Sequence, residues 1–155
     1  MRTVSTRAAG RTREQKFGMK TVMVFGTFDI LHPGHLSLFR QAKRHGKILV
    51  AVVARGTTSA RIKGRAPFHT ERERKKNLEH IRDIDRVLLG DTKDMYRVIR
   101  RLQPDVIALG YDQKFFVKEL QKIVHEFSKP PRIVRLRPYQ AGRYKTKKIR
   151  GYLDI

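Results

Sequence analysis

The 155-residue chain contains no cysteine and no tryptophan, and its 14 acidic residues are few beside 36 Lys and Arg. Without cysteine there is no disulfide, no thiolate nucleophile and no zinc–thiolate site. No apolar run reaches membrane-spanning length, so we expect no membrane span. The basic amino terminus is not followed by the apolar stretch that a signal peptide needs. These absences favour a cytoplasmic protein.

The shortage of acidic residues gives the chain a formal net charge of +22. A field of this sign attracts nucleic acid, anionic membranes or small polyphosphates. A generally basic proteome would produce the same value, so charge favours a phosphate-rich partner without identifying it. We interpret residues 1–18, which are basic and lack periodic apolar positions, as a disordered arm that binds polyanions non-specifically. Residues 19–155 are interpreted as one domain.

From residue 21 onward, short apolar runs alternate with stretches of helical period. Strands are predicted at Thr21–Phe25, Ile48–Ala54, Arg86–Leu89, Asp105–Leu109 and Arg132–Leu136. Helices are predicted at Pro33–His45, at Thr70–Ile81 with a Thr70/Glu73 capping box, along the stripes Met95–Leu102 and Phe116–Phe127, and at Thr146–Leu153. This order predicts an α/β fold with an open five-stranded parallel sheet and helices on both faces.

The segment after the first strand, residues 26–35, reads GTFDILHPGH. Open parallel sheets bind ligands beyond the carboxyl ends of their strands, which is where this segment lies. Gly26 allows a close approach of the backbone to a ligand, and Thr27 offers a hydroxyl and an amide to a phosphate. His32 and His35 flank a predicted helix start, where free amides and the helix dipole favour an anion. Their spacing places both imidazoles on one face, where both can reach one phosphate. Helix caps or surface residues without a catalytic role are the alternative for these histidines.

GTFDILHPGH resembles the signature of the H-x-G-H nucleotidylyltransferase superfamily, which has a Rossmann-like fold. From Lys20 to Leu153 the chain resembles the cytidylyltransferase-like branch, and residues such as Phe68-His-Thr and Pro104–Gln113 look closest to archaeal-type FAD synthases. In this family a substrate phosphate attacks the α-phosphorus of a nucleoside triphosphate and pyrophosphate leaves. The resemblance implies that His32 and His35 are catalytic and that Gly26, Thr27 and Phe28 bind the nucleotide.

The resemblance implies further nucleotide contacts along the chain. It places Lys63 and Arg74 on the triphosphate, although basic residues are common in this sequence. It places Gly110 and Asp112 on the base and sugar, and an ordinary left-handed turn at Gly110 is the alternative. Thr146 matches a phosphate-gripping Ser/Thr position, whereas the neighbouring Lys147 departs from the family pattern.

The expected substrates are ATP and FMN, which would give FAD. CTP with glycerol 3-phosphate or phosphoethanolamine is the alternative within the family, and a non-catalytic nucleic-acid-binding protein is the alternative outside it. The triphosphate implies Mg²⁺, and no acidic cluster marks protein ligands for it. Homodimers are common in the family, and the sequence leaves the oligomeric state open.

Overall fold

A computed structural model describes residues 18–94, 96–114 and 117–139. The strands, numbered along the chain, are β1 Thr21–Gly26, β2 Ile48–Val53, β3 Arg86–Leu89, β4 Val106–Leu109 and β5 Arg132–Arg135. The helices are α1 Pro33–Lys43, α2 Gly56–Lys63, α3 Glu71–Glu79, α4 Arg97–Leu102 and α5 Val117–Val124. No helix among the described residues is long and apolar enough to cross a membrane.

All five predicted strands are confirmed, with ends that differ by one residue in four of them. The α3 capping box is also confirmed, because the Thr70 hydroxyl accepts from the amide of Glu73 and the Glu73 carboxylate accepts from the amide of Thr70. Helix α1 ends at Lys43, two residues before the predicted end. Helices α4 and α5 are confirmed within their predicted stripes. The predicted arm up to residue 17 and the predicted helix Thr146–Leu153 lie outside the described residues.

Helix α2 was not predicted, because Gly56–Lys63 carries no apolar stripe that would distinguish it from a loop. It begins at a glycine and ends at Gly64, which adopts the left-handed conformation with φ of 69°. Glycine is the residue that enters this conformation without steric cost, which explains the position of the helix end.

The two faces of the sheet carry separate apolar cores, which confirms helices on both sides. One face packs against α1 and α3 through buried Phe39 and Leu78. The other face packs against α4 and α5 through buried Ile99 and Leu120. Alternation along β1 supplies both cores, since Val22 and Val24 enter the first and Met23 enters the second.

The strands lie in the order β3-β2-β1-β4-β5, and every neighbouring pair is parallel. The chain therefore moves outward from β1 to β3 and then returns to the other side of β1 as β4. The connections leave the carboxyl ends of β1 and β4 in opposite directions, which opens a crevice between them. The segments that follow β1 and β4 meet at this crevice.

Substitution of Gly46 by Ala is expected to destabilise the fold. The added Cβ would lie 2.6 Å from the carbonyl oxygen of Lys20 and 2.8 Å from a methyl carbon of Val22. The start of β1 would have to shift, so we expect a loss of about 1–3 kcal/mol in the free energy of unfolding, measured in urea. Gly56→Ala is the control, because its nearest neighbour would be 4.0 Å away and alanine favours a helix. Equal losses in both variants would contradict the packing argument.

Candidate active site

The loop after β1 is shaped by the side chain of Phe28, which is 4% exposed. Its ring lies 5.7 Å from the ring of His35 and 5.2 Å from that of Phe39, measured between centroids. Phe28 adopts a positive φ of 50°, which is unusual for a bulky residue. A Cβ at Gly26 would lie 2.8 Å from this ring. Gly26 therefore makes room for Phe28, a different reason from the predicted approach to a ligand.

His32 and His35 form a reciprocal capping box at the start of α1. The Nδ1 atom of His32 accepts from the amide of Gly34 at 3.1 Å, and Nδ1 of His35 accepts from the amide of His32 at 3.3 Å. The two rings are tilted by 32° to each other, with centroids 3.9 Å apart. Because a backbone amide always donates, each Nδ1 must be unprotonated in this arrangement. The proton of each neutral imidazole is thus on Nε2.

The expectation of free amides at this helix start was wrong. Pro33 has no N–H, and the amide of Gly34 donates to His32. The amides of His35 and Leu36 both donate to the carbonyl of His32, at 2.9 and 3.3 Å. An anion at this end of α1 would therefore meet imidazole Nε2–H groups before backbone amides. The helix dipole still favours negative charge there.

Both histidines resist protonation. Burial, with the positive fields of His32 and Lys63, lowers the pKa of His35 from 6.5 to about 3. Burial also lowers the pKa of His32. Protonation would in addition place a hydrogen on Nδ1 and break the cap. The pair is therefore neutral at physiological pH and presents hydrogen-bond donors without positive charge.

Helix α2 brings Ser59 and Lys63 toward the two histidines. The hydroxyls of Thr27 and Ser59 are 3.0 Å apart, and Ser59 is buried. Lys63 is exposed at the end of α2 and lies close enough to lower the pKa of His35. Because α2 was not predicted, Ser59 was missed, whereas the structure confirms that Lys63 is near the pair.

The amino end of α2 is held by Glu71, the first residue of α3. Its carboxylate accepts from the amide of Gly56 at 2.9 Å and from Nη1 of Arg55 at 2.8 Å. These bonds hold the pKa of Glu71 below its ordinary value. Nε of Arg55 donates to the carbonyl of Gly90 after β3. Arg55 and Glu71 thus join the connections that follow β2, α2 and β3. No local sequence pattern predicted their pairing.

Arg74 is completely buried, with 0% of its surface exposed. Its Nη1 donates to the carbonyls of Thr27 and Ala54, both at 2.8 Å, and its Nε donates to the carbonyl of His69. The guanidinium therefore ties the segment after β1 and the segment after β2 to the segment that precedes α3. Binding of a triphosphate by Arg74 stays a prediction. Its buried Nη2 finds no acceptor among the described residues.

Asp29, in the GTFD segment, anchors the connection between α2 and α3. This residue is 3% exposed, and its two carboxylate oxygens accept from the amides of Phe68 and His69 at 2.7 and 2.9 Å. Nδ1 of His69 lies 3.1 Å from the carbonyl oxygen of Asp29. No separate role for Asp29 was predicted from the motif. In the described structure Asp29 holds residues 68 and 69 against the GTFD segment.

The turn after β4 is fixed by Gln113. Its Oε1 accepts from the amide of Gly110 at 2.7 Å, and its Nε2 donates to the carbonyl of Phe25 at 2.8 Å. Nη1 of Arg135 in β5 donates to the carbonyl of Gly110 at 2.8 Å. The glycines with positive φ among the described residues are Gly18 and Gly64, so the left-handed turn at Gly110 is not observed. Asp112 is exposed on this turn.

The structure thus brings Gly26, Thr27, His32, His35 and Lys63 together at the crevice, with the Gly110–Gln113 turn tied to the end of β1. Thr146 lies outside the described residues, and its binding of phosphate stays a prediction. No group of three or more His, Asp or Glu among the described residues is arranged to hold a metal ion.

Comparison with known families gives a match of residues 23–151 to the cytidylyltransferase-like family. The chain is 42% identical over 121 residues to the FAD synthase of Aciduliprofundum boonei, a match that covers 78% of this chain and 80% of the relative. It is 40% identical over 124 residues to the FAD synthase of Thermoplasma acidophilum, covering 80% of this chain and 87% of the relative.

Solved structures agree with the fold. A crystal structure described as a lipopolysaccharide core biosynthesis protein from Thermoplasma volcanium superimposes with a TM-score of 0.73 at 41% identity, covering 79% of this chain and all of that one. Pantoate–β-alanine ligase from Francisella tularensis superimposes with a TM-score of 0.59 at 16% identity, covering 85% of this chain and 68% of the other. The second likeness supports the Rossmann-like fold alone.

Arg74→Lys is expected to destabilise the protein by about 2–4 kcal/mol, because one ammonium group cannot reach the three carbonyls that the guanidinium binds. The measurement is urea unfolding followed by circular dichroism. Arg72→Lys, at an exposed position of the same helix, is the control and should change stability little. If the two variants unfold at the same urea concentration, Arg74 does not hold these segments together.

The stability of the wild-type protein should fall as the pH decreases from about 6.5 toward 3, the range over which the unfolded chain protonates His35 and the folded protein does not. His35→Gln should show a shallower decline, since glutamine is a common capping-box residue and does not titrate. Unfolding free energies measured at several pH values test this. His125→Gln, an exposed histidine, is the control. Identical slopes for wild type and His35→Gln would contradict the low pKa.

Proposed function

The chain belongs to the cytidylyltransferase-like family of nucleotidyltransferases, and from this membership we propose that it is an FAD synthase. It joins FMN to the adenylyl group of ATP and releases pyrophosphate. The FAD synthase relatives, at 36–42% identity over most of the chain, support the choice of substrates. The observation that carries the catalytic proposal is the pair of neutral histidines whose Nδ1 atoms are both committed to the cap of α1.

In this reaction a phosphate oxygen of FMN attacks the α-phosphorus of ATP. The bond from the α-phosphorus to the bridging oxygen breaks, and its electrons leave with pyrophosphate. Negative charge increases on the phosphoryl oxygens as the transition state forms. Donors already aimed at these oxygens stabilise that charge without reorganisation. We assign this task to the Nε2–H groups of His32 and His35.

The positive charge at the site comes from Lys63, which we assign to the β- and γ-phosphates. A lysine there offsets the charge that accumulates on the leaving pyrophosphate. The neutral histidines donate hydrogen bonds, and the cationic lysine supplies the net positive charge. Gly110 and Asp112, on the turn after β4, are proposed to contact the base and sugar, and Thr146 the phosphates.

Mg²⁺ is proposed to accompany the triphosphate, held by phosphate oxygens and water. Asp29, a buried acid in the GTFD segment, has both carboxylate oxygens bonded to backbone amides and is a poor metal ligand in that state. The ion would neutralise phosphate charge. Because its proposed substrates are ATP and FMN, we propose a cytoplasmic location.

A pyrophosphate-release assay should give turnover with ATP and FMN and far less with CTP and glycerol 3-phosphate. The crossed pairs, ATP with glycerol 3-phosphate and CTP with FMN, separate the choice of base from the choice of acceptor. Turnover that requires CTP would replace FAD synthesis by cytidylyl transfer. No turnover with any pair would favour a non-catalytic protein.

His32→Asn and His35→Gln test the catalytic assignment in the same assay. Asparagine is a good N-cap and glutamine suits the third helical position, so both variants retain acceptors for the cap of α1. Each should lower kcat by about 10²–10³-fold while the protein stays folded, because one transition-state donor is lost. Wild-type turnover in both variants would refute the catalytic assignment.

A further inference from the structure

A basic surface lies at the edge of the sheet opposite the crevice. We call it the basal surface and define it as Lys20, Lys43, Arg44, His45, Lys47 and Arg132. Lys20 and Lys47 directly precede β1 and β2, Arg132 begins β5, and Lys43 to His45 end α1. Three of the six residues are thus at the amino ends of strands, and the other three are at the carboxyl end of α1, which leads into β2. The six residues of β1 separate this surface from the catalytic crevice by roughly 20 Å.

The basal surface is open to solvent and only shallowly indented. An open depression of about 540 Å³ is lined by Gly18, by Gly46 and by every residue of the basal surface except Arg132. Its floor is fixed by backbone contacts, since the amides of Lys47 and Ile48 both donate to the carbonyl of Lys20, at 3.0 and 3.2 Å. Gly46 packs against the same carbonyl with no space for a side chain. The cations therefore project from a firm backbone.

The acidic residues at this edge are mostly committed to the backbone. The carboxylate of Asp105 accepts from the amide of Thr21 at 2.9 Å, and that of Asp85 accepts from the amide of Leu49 at 2.7 Å and also binds Lys43. Within the described ranges, Lys20, Arg44 and Lys47 form no ion pair. Their charge is not neutralised by these acids.

Around α4 and α5 the basic residues are more often paired, with ion pairs between Arg97 and Asp91, Arg100 and Asp94, and Lys122 and Glu119. Among the described residues of the basal surface, Lys43 alone forms an ion pair. The helix dipole explains only part of the contrast. It favours cations at the carboxyl end of α1, which accounts for Lys43 and Arg44. It does not account for Lys20, Lys47 and Arg132, which come from strand starts.

His45 adds a neutral donor to the basal surface. Nη2 of Arg132 is 3.1 Å from Nδ1 of His45, and since arginine only donates, Nδ1 is the acceptor. The ring proton is then on Nε2. The surface therefore combines point charges from lysine, the planar guanidinium groups of Arg44 and Arg132, and one N–H donor, a set that suits repeated phosphate oxygens.

We propose that the basal surface binds the phosphate backbone of a single-stranded nucleic acid. Membrane surfaces are bound by cations together with inserted apolar residues. The large apolar residue exposed beside this surface is Met19, at 36% exposure, and no exposed aromatic residue lines the depression. Contacts are therefore to phosphates, and binding tolerates different sequences.

The test is fluorescence anisotropy of the full chain with a labelled twelve-nucleotide oligouridylate over a range of salt concentrations. The combined variant Lys20→Gln, Arg44→Gln and Lys47→Gln removes three charges from the basal surface. It should weaken binding at least ten-fold at low salt. It should also make the negative slope of the logarithm of the association constant against log salt less steep by about 2, since each lost phosphate contact on a single strand contributes about 0.7.

A matched control removes the same charge elsewhere through Arg72→Gln, Lys76→Gln and Lys118→Gln, all exposed positions on α3 and α5. Weakening of oligonucleotide binding by less than three-fold in this control supports a localised surface. Equal weakening by both combined variants would show that net charge alone attracts the strand and would overturn the proposal. Tighter binding to phosphatidylglycerol vesicles than to the oligonucleotide, lost in the basal variant, would overturn it in favour of a membrane.

The anisotropy measurement does not depend on the proposed catalytic function, so the two can fail separately. Pyrophosphate release by the basal variant should equal that of the wild-type protein, because the six residues lie at the far edge of the sheet. Loss of turnover together with loss of oligonucleotide binding would overturn the separation of the two surfaces.

Discussion

The reciprocal hydrogen bonds between two imidazoles and the first turn of α1 determine the rest of the site. They begin the helix, fix which nitrogen of each ring carries the proton, and hold the ring centroids 3.9 Å apart. The ring of Phe28 packs against His35 in a T-shaped contact, and Gly26 leaves space for the Phe28 ring. The residues that begin the helix and those proposed to act on the phosphate are therefore the same two. Each imidazole therefore serves the local fold through Nδ1 and the proposed chemistry through Nε2.

A second group of contacts positions the loops around this pair. Arg74 joins the segments after β1 and β2 to the start of α3, Glu71 caps α2, and Gln113 ties the turn after β4 to the end of β1. In each case a polar side chain satisfies backbone groups that the ends of strands and helices leave unpaired. The crevice is thus bordered by connections that are bonded to one another, although they lie far apart in the sequence.

Strands, sheet class and the motif after β1 could be predicted because they depend on local apolar patterns and on spacing that one segment contains. The α3 capping box was predictable for the same reason, since Thr70 and Glu73 are three residues apart. Helix α2 was not, because it has no apolar stripe and its cap comes from Glu71, fifteen residues away. Burial of Arg74 was equally hidden, since its three carbonyl partners belong to the backbone and have no sequence signature. The prediction of free amides at the start of α1 was wrong because a histidine ring can itself act as the cap.

The anchoring of residues 68 and 69 by Asp29 has a consequence for the thermodynamics of substrate binding. Its bonds to the two amides are internal to the protein, so their formation does not wait for a nucleotide. A substrate meets a loop whose backbone is already ordered, and little of its affinity is spent on restricting that backbone. Calorimetry of nucleotide binding should then reflect the desolvation of phosphates and donors, with a heat-capacity change too small for coupled folding.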